Sequence, residues 1–281
     1  MSYRSLLACV DRGKGHPRVL ETALSLAGQF GACLTALHVH IPSQFARAAW
    51  GEFPVWGGAE ALERETEEAA EREARLRSDF EAAASRLGVE DAEWRYERGE
   101  LAATLARHAR YCDLVVMGQH DFRDKAGQGY DGLPAEVSMA SGRPVLALPY
   151  SFQSGQLGTR ALVAWNASVE AVRAVTAALP LLARAKVVEV VVVDGVAPVG
   201  GDEAGADVMR YLGRHGIKAS VETMSAGELS TCEALLAAAA DKGSDLLCMG
   251  VYGHSRLREL VLGGATREIL RQMTVPTLMV S

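Results

Sequence analysis

The stretch Asp245-Leu-Leu-Cys-Met-Gly250 repeats Asp113-Leu-Val-Val-Met-Gly118 from 132 positions earlier, and this repeat decides the fold. A second pair of segments has the same spacing, since Arg143-Pro-Val-Leu-Ala-Leu148 corresponds to Val275-Pro-Thr-Leu-Met-Val280. All four segments are short apolar runs with polar residues or a proline at one end, as buried strands usually are. Two independent blocks at one spacing indicate two copies of one structural unit, with a period longer than that of a solenoid.

Each copy also begins with a short apolar run. Ser5 to Asp11 and Ala161 to Asn166 are both typical of a buried strand that ends in a polar residue. The residues that follow predict a helix and then a second strand, at 18–30 and 34–39 in the first copy and at 170–183 and 187–193 in the second. Strands that alternate with helices indicate βαβ units and a parallel sheet buried on both faces. We therefore expect an α/β protein with two tandem doubly wound domains, each a parallel five-stranded sheet flanked by about four helices.

The segment 151–158 has the composition of a linker, with Ser, Gln and Gly. It predicts a first domain over 1–150 and a second domain over 159–281. The first copy has the longer middle section, which includes a loop around Trp50, Phe53 and Trp56 and then a charged helix over 60–87. Along this helix apolar residues recur every seven positions, at Leu62, Ala69, Leu76 and Ala83, with Phe80 and Leu87 one turn on.

Two interpretations of this middle section stay open. The helix either covers the sheet with one apolar face and exposes its charged face to solvent, or it is a dedicated partner-binding helix. The Trp-containing loop packs either on the helix or on a partner, because two Trp and a Phe in one loop seldom all face water.

The composition is that of a globular protein, with 49% hydrophobic and 23% charged residues. The net charge of −6 argues against general affinity for nucleic acid or anionic membrane. The five cysteines form no CxxC pair, the first residues do not resemble a secretory signal, and no apolar run approaches the roughly 20 residues of a membrane span. We expect a reduced, cytoplasmic protein.

The loop after the fourth strand of the second copy is rich in glycine. Gly250 and Gly253 are followed by Gly263-Gly264-Ala265-Thr266, and a last helix is predicted over 267–273. Glycine lets the backbone approach an anion closely, and the free N–H groups at a helix N-terminus attract phosphate. The alternative is that these glycines only shape turns. Their position, after a buried strand and opposite Asn166, favours a phosphate site at the carboxyl edge of the sheet.

The sequence resembles the universal stress protein family in its tandem two-domain form, over essentially the whole chain. The resemblance is sharpest in the family's nucleotide loop, G-x2-G-x9-G-(S/T), which Gly250, Gly253 and Gly263 match and from which Gly264 departs by replacing Ser or Thr. It implies the adenine nucleotide alpha hydrolase-like fold and a pseudo-twofold pair of domains joined through the final strands, 144–148 and 276–280. Assembly of two such chains into a homodimer is kept as an alternative to the single chain.

The resemblance also implies a site for ATP, ADP or AMP in the second domain, with Mg²⁺ as a candidate counterion. Asn166 stands where ATP-binding members have an Asp that holds the adenosine, and Val192 occupies the position whose backbone contacts adenine. The implied nucleotide site consists of Trp165, Asn166, Val192, Met249, Gly250, Tyr252, Gly253, His254, Gly263, Gly264, Ala265 and Thr266.

The first copy lacks this loop, because Asp121 and Asp131 replace Gly253 and Gly263 and Pro134 replaces Thr266. Carboxylates there would repel phosphate, so we expect no nucleotide of the family type in the first domain, although another small ligand remains an alternative. A zinc site built from His38, His40 and His120 with Asp11 or Asp121 is a further alternative, and ordinary hydrogen-bonded histidines are favoured over it.

The chemistry that follows is binding rather than fast catalysis. The sequence has no nucleophile elbow, HExxH or Walker A pattern. His254 is the only titratable side chain directly in the glycine loop. We expect a nucleotide-linked stress-response protein, at most a slow ATPase, and keep as an alternative a nucleotide-free interaction module that acts through residues 42–87.

Overall fold

The computed structural model describes residues 2–10, 16–43, 59–119, 132–153, 155, 157–193, 204–251 and 264–281. The N-terminal half contains, in chain order, β1 (Ser5–Cys9), α1 (His16–Phe30), β2 (Cys33–His40), α2 (Ala59–Leu87), β3 (Ala92–Arg98), α3 (Leu101–Ala109), β4 (Leu114–Gly118), α4 (Leu133–Ser141) and β5 (Val145–Leu148). The C-terminal half contains β6 (Arg160–Ala164), α5 (Val169–Leu182), β7 (Val187–Val193), α6 (Ala204–Arg214), β8 (Ser220–Met224), α7 (Thr231–Asp241), β9 (Leu246–Gly250), α8 (Gly264–Gln272) and β10 (Thr277–Val280).

The ten strands form one sheet in the order β3-β2-β1-β4-β5-β10-β9-β6-β7-β8. Every neighbouring pair is parallel except β5 and β10, which are antiparallel, with Leu146 opposite Leu278. Each half therefore has the same doubly wound strand order, and the last strands of the two halves join them, as expected for 144–148 and 276–280. The two tandem α/β units of the expected fold class are confirmed. The domain bounds at 150 and 159 stay a prediction.

Side chains from both faces of the sheet are buried. Leu6 and Ala8 pack in the core on one face, whereas Leu7 and Cys9 pack on the other, because successive side chains of a strand alternate. Each of the two cores contains residues from both halves. The halves thus share two continuous apolar layers in addition to the sheet.

Helix α2 covers the sheet of the N-terminal half. Its heptad positions Ala69, Leu76 and Ala83 are buried together with Phe80, while Leu87 is exposed. The indole N–H of Trp94 on β3 donates to Glu73 Oε1 of α2 at 2.8 Å. The covering-helix interpretation is confirmed except at Leu87, which is the last residue of the helix and lies beyond the buried turn. Residues 44–58, with Trp50, Phe53 and Trp56, lie outside the described residues.

Candidate nucleotide site

The candidate site lies at the edge of the sheet where β6, β7 and β9 end. These strands are neighbours in the sheet order, and β6 lies between the other two. The ladder continues one residue past β6, since Trp165 N donates to Val191 O at 2.9 Å. Neighbouring strands lie roughly 5 Å apart. The fold therefore brings Trp165, Val192 and Met249 together, although they are far apart in sequence.

This edge is also where the strand order reverses. The chain runs outward from β6 through β7 to β8, and then returns to the other side of β6 with β9 and β10. In doubly wound sheets ligands bind beyond the carboxyl ends of the strands at such a switch point. Val192 and Met249 are buried, and Trp165 and Asn166 are half-buried. Val192 and Trp165 lie on one face of the sheet, where they give the described part of the edge an apolar floor that is partly open to solvent, whereas Met249 packs in the core on the other face.

The turn from β6 into α5 is built by short polar side chains. Asn166 Oδ1 accepts a hydrogen bond from Ser168 N at 3.1 Å, and Ser168 Oγ accepts one from Ala171 N at 3.2 Å, which caps the helix. Between them Ala167 has a φ of 57°, in the left-handed region that favours glycine. One lone pair of the Asn166 oxygen therefore stabilises the turn, which leaves the second lone pair and the amide group for a ligand.

Gly250 at the end of β9 has a packing role. A Cβ atom on this residue would lie 2.6 Å from Ala171 N, 2.6 Å from the carbonyl carbon of Glu170 and 2.7 Å from Glu170 Cβ. Only glycine lets the first turn of α5 pass so close to the strand. The first glycine of the predicted phosphate loop is thus required by the fold, whether or not phosphate binds.

Helix α8 starts at Gly264, so Gly264, Ala265 and Thr266 form its first turn. The first four N–H groups of a helix have no partner within the helix, and they carry the positive end of its dipole. Thr266 is buried in this turn. Tyr252, Gly253, His254 and Gly263 lie outside the described residues, so their assignment to the site stays a prediction.

The N-terminal half has a different helix at the equivalent place. Helix α4 begins at Leu133 and has Pro134 in its first turn. Proline has no N–H group, and Leu133 and Ala135 are buried. This first turn therefore offers one donor fewer than that of α8. Asp11, His120, Asp121 and Asp131 lie outside the described residues.

His38 occupies the position in the N-terminal half that Val192 occupies in the C-terminal half. Leu37 pairs with Cys9 just as Val191 pairs with Ala164, and each is followed by the residue in question. The His38 ring is buried, contacts Val10 O through Nδ1 at 2.8 Å, and stacks on the rings of Trp94 and Tyr96.

The neighbouring His40 Nε2 lies 3.9 Å from Glu65 Oε1 on α2, and the Glu65 carboxylate also accepts from Ser43 N at 2.8 Å and from Ser43 Oγ at 2.5 Å. Among the described residues no cluster of His, Cys, Asp or Glu could hold a metal ion. His38 makes an ordinary hydrogen bond, but the choice between this and the zinc alternative stays a prediction, since Asp11, His120 and Asp121 lie outside the described residues.

The described residues of the candidate site offer no catalytic base. Trp165, Asn166, Val192 and Met249 do not titrate near neutral pH. Cys248, beside Met249, is fully buried, and burial raises the pKa of its thiol to about 12. This thiol therefore stays protonated and acts as a small apolar group rather than a nucleophile.

Three structural residues of this region were missed by sequence reasoning. Ala167 and Ser168 shape the turn after Asn166. Serine is a preferred N-cap residue and Glu170 follows in the first turn, so the start of α5 at Ser168 was readable from the sequence. Gln119 was also missed. It follows β4, and its side chain amide reaches α8 of the other half. Nothing in the local sequence signals a contact across 151 positions.

Comparison with known proteins gives a consistent result. The model of the universal stress protein family matches residues 2–129. A universal stress protein of Synechocystis sp. is 30% identical over 200 residues, which cover 68% of this chain and 66% of that protein. The match thus spans about two thirds of the length of each chain.

Solved structures with the same fold cover nearly the whole chain. A universal stress protein from Archaeoglobus fulgidus DSM 4304 covers 99% of this chain and 98% of its own, with a TM-score of 0.71 and 20% identity. A protein of unknown function from Pseudomonas aeruginosa PAO1 covers 99% of this chain and 92% of its own, with a TM-score of 0.60 and 12% identity. At these identities the likeness concerns the fold. Among the described residues, no helix is both long enough and apolar enough to span a membrane.

Proposed function

Because this chain belongs to the universal stress protein family, we propose that it is an adenine-nucleotide-binding regulatory protein whose ligand lies in the C-terminal half. The observation that carries this proposal is the difference between two equivalent helix starts. The first turn of α8 consists of Gly264, Ala265 and Thr266, which keep all their N–H groups. The first turn of α4 contains Pro134, which has no N–H group, and the acidic residue Glu136. A phosphate is therefore favoured at α8.

The nucleoside end of the ligand would lie over the carboxyl ends of β6, β7 and β9. Val192 and the half-buried Trp165 give one face of this edge an apolar floor suited to a base, whereas Met249 packs on the other face of the sheet. We expect the Asn166 amide to hydrogen-bond a ribose hydroxyl, while its oxygen also holds the turn. As a neutral group it binds hydroxyls more weakly than a carboxylate does.

The N-terminal half would bind no nucleotide in this manner. His38 fills the position of Val192 with a ring that stacks on Trp94 and Tyr96. The carboxylate of Glu65 lies close to the end of β2, where it holds Ser43. The Glu65 carboxylate would repel an anionic ligand at this edge, and Pro134 removes one N–H donor for it.

The bound nucleotide is proposed to act as a signal, as ATP, ADP or AMP, with Mg²⁺ as a counterion for a di- or triphosphate. Phosphoryl transfer needs charge neutralisation and a group that orients the attacking water. The described site residues supply donors and an apolar floor, so efficient hydrolysis is not expected. We place the protein in the cytoplasm, because none of the five cysteines forms a disulfide and four of them are buried.

The test compares two substitutions that each add one carboxylate. Gly263→Asp places a charge in the predicted phosphate loop, and calorimetric titration with ATP, ADP and AMP should show loss of binding. Gly213→Asp is the matched control, because Gly213 lies near the end of α6 with open space around its Cβ position. It should bind nucleotide like the unmodified protein.

Unchanged affinity in folded Gly263→Asp protein would contradict the location of the site. The unmodified protein should also release nucleotide on denaturation, detected as absorbance at 260 nm, or bind it on addition. If it does neither at millimolar concentrations, the nucleotide proposal is wrong and the interaction module that acts through residues 42–87 is favoured.

A further inference from the structure

Gln119 joins the two halves at the end of β4. It is the residue that corresponds to Val251 at the spacing of 132, and both make the same backbone hydrogen bond. Gln119 N donates to Leu148 O at 2.7 Å, and Val251 N donates to Val280 O at 2.8 Å. The backbones are thus equivalent while the side chains differ. The C-terminal half has a buried isopropyl group where the N-terminal half has a buried amide.

Each polar group of the Gln119 side chain has a partner. Its Nε2 donates to Leu270 O at 2.7 Å and to Arg271 O at 3.1 Å, and its Oε1 accepts from Tyr150 N at 3.0 Å. The residue is 7% exposed. Leu270 and Arg271 lie in the last turn of α8, where helix carbonyls have no partner within the helix. Gln119 therefore caps the C-terminal end of α8 from the other half of the molecule.

The opposite end of α8 is the proposed phosphate site. The helix has nine residues, so its ends are about 14 Å apart and the helix behaves as one rigid element. Movement of the last turn would tilt or shift the first turn, where Gly264 and Thr266 lie. Binding sites of this kind lose affinity when their supporting residues let them move by about 1 Å.

We propose that Gln119 is a positioning residue for the nucleotide site, which it supports from the N-terminal half. This inference rests on the proposed function of the C-terminal half. It gives the N-terminal half, whose own glycine loop is lost, a role in ligand binding by the other half. The coupling is carried by hydrogen bonds between Gln119 and α8 and by the rigidity of that helix.

The test uses Gln119→Met, which keeps the length of the side chain and removes all three hydrogen bonds. Gln119→Asn is a milder variant, because a side chain shorter by one methylene cannot span the same groups. The control is Ser138→Ala on α4. Ser138 is fully buried, accepts from Ser281 N at 3.2 Å across the two halves, and donates to Arg143 O at 2.9 Å, and neither of these hydrogen bonds involves α8.

We expect Gln119→Met to weaken ATP binding about three- to tenfold and to speed amide hydrogen exchange throughout α8. Gln119→Asn should give a smaller change in the same direction. Ser138→Ala should lower stability to urea while its ATP affinity stays within about twofold of the unmodified protein. If Gln119 had a purely structural role, Gln119→Met and Ser138→Ala would have the same ATP affinity when compared at conditions of equal folding stability.

Two results would overturn the inference while the proposed function stands. One is unchanged ATP affinity in Gln119→Met, and the other is an equal loss of affinity in Ser138→Ala. A lack of nucleotide binding by the unmodified protein would overturn both the proposed function and the inference.

Discussion

Gly250→Ala should destabilise the protein strongly, whereas Gly118→Ala at the equivalent place in the N-terminal half should not. On Gly250 the new Cβ would lie 2.6 Å from two backbone atoms, Ala171 N and Glu170 C. Optimal carbon contacts are about 3.5–4.0 Å, so the overlap is close to 1 Å. On Gly118 the nearest atom is Val19 Cγ2 at 3.4 Å, at the end of a side chain that can shift.

The overlap at Gly250 cannot be relieved by a change of rotamer. Both close atoms belong to the first turn of α5, which Ser168 caps and which buries Ala171, Ala174 and Val175 against the sheet. The helix must therefore move away from β9 and lose packing. Overpacking typically costs about 1–3 kcal/mol, and we expect about 3 kcal/mol here because the obstacle is backbone. Neither glycine has a positive φ, so backbone strain does not enter the comparison.

The two variants are compared by urea unfolding followed by far-UV circular dichroism, without added nucleotide. Gly118→Ala should change the free energy of unfolding by no more than about 0.5 kcal/mol. Losses that agree within about 0.5 kcal/mol would refute the packing argument. A loss for Gly250→Ala that appears only when nucleotide is present would instead assign Gly250 to ligand binding.

Three further predictions concern the turn at Ala167, the carboxylate of Glu97 and the rate of ATP turnover. Ala167→Gly should stabilise the protein by about 1 kcal/mol in urea unfolding, because a φ of 57° disfavours a side chain, and a loss of stability would contradict this. Burial tends to raise the pKa of Glu97, but hydrogen bonds from His108 and Arg107 outweigh this and hold it below its ordinary value. The stability that Glu97 adds should therefore be present above its unfolded-state pKa and disappear as pH falls through the folded-state pKa. The free energies of unfolding of Glu97→Gln and of the unmodified protein should then converge in acid. A difference in these free energies that stays constant with pH would count against this. ATP turnover, measured as phosphate release, should be far below the roughly 10 per second of typical enzymes, and a rate near that value that depends on His254 would identify an enzyme instead.

Besides the longer middle section of the N-terminal half, the two halves differ at one edge of the sheet. Each half has the same strand order, and the backbone bonds of Gln119 and Val251 are equivalent. The N-terminal half has Pro134 at the helix start and His38 under the edge, whereas the C-terminal half has Thr266 and Val192. Nucleotide binding in one half and support from the other is a division of roles that these differences allow.

The repeated α/β architecture can be predicted from the amino-acid sequence alone. Strands and helices are signalled by local periodicity, so β7 has the predicted bounds of 187–193 and α2 begins one residue before the predicted 60. The spacing of 132 identified β4 with β9 and β5 with β10. The loss of the glycine loop in the first copy was also readable, because it depends on residue identity alone.

The roles of several of these residues depend on how distant segments pack against each other. The packing role of Gly250 depends on how closely α5 crosses β9. The amide of Gln119 meets α8 only because β5 and β10 pair and place the two halves side by side. Contacts between residues about 80 to 150 positions apart leave no periodic trace in the sequence, so they follow from the folded arrangement and not from local pattern.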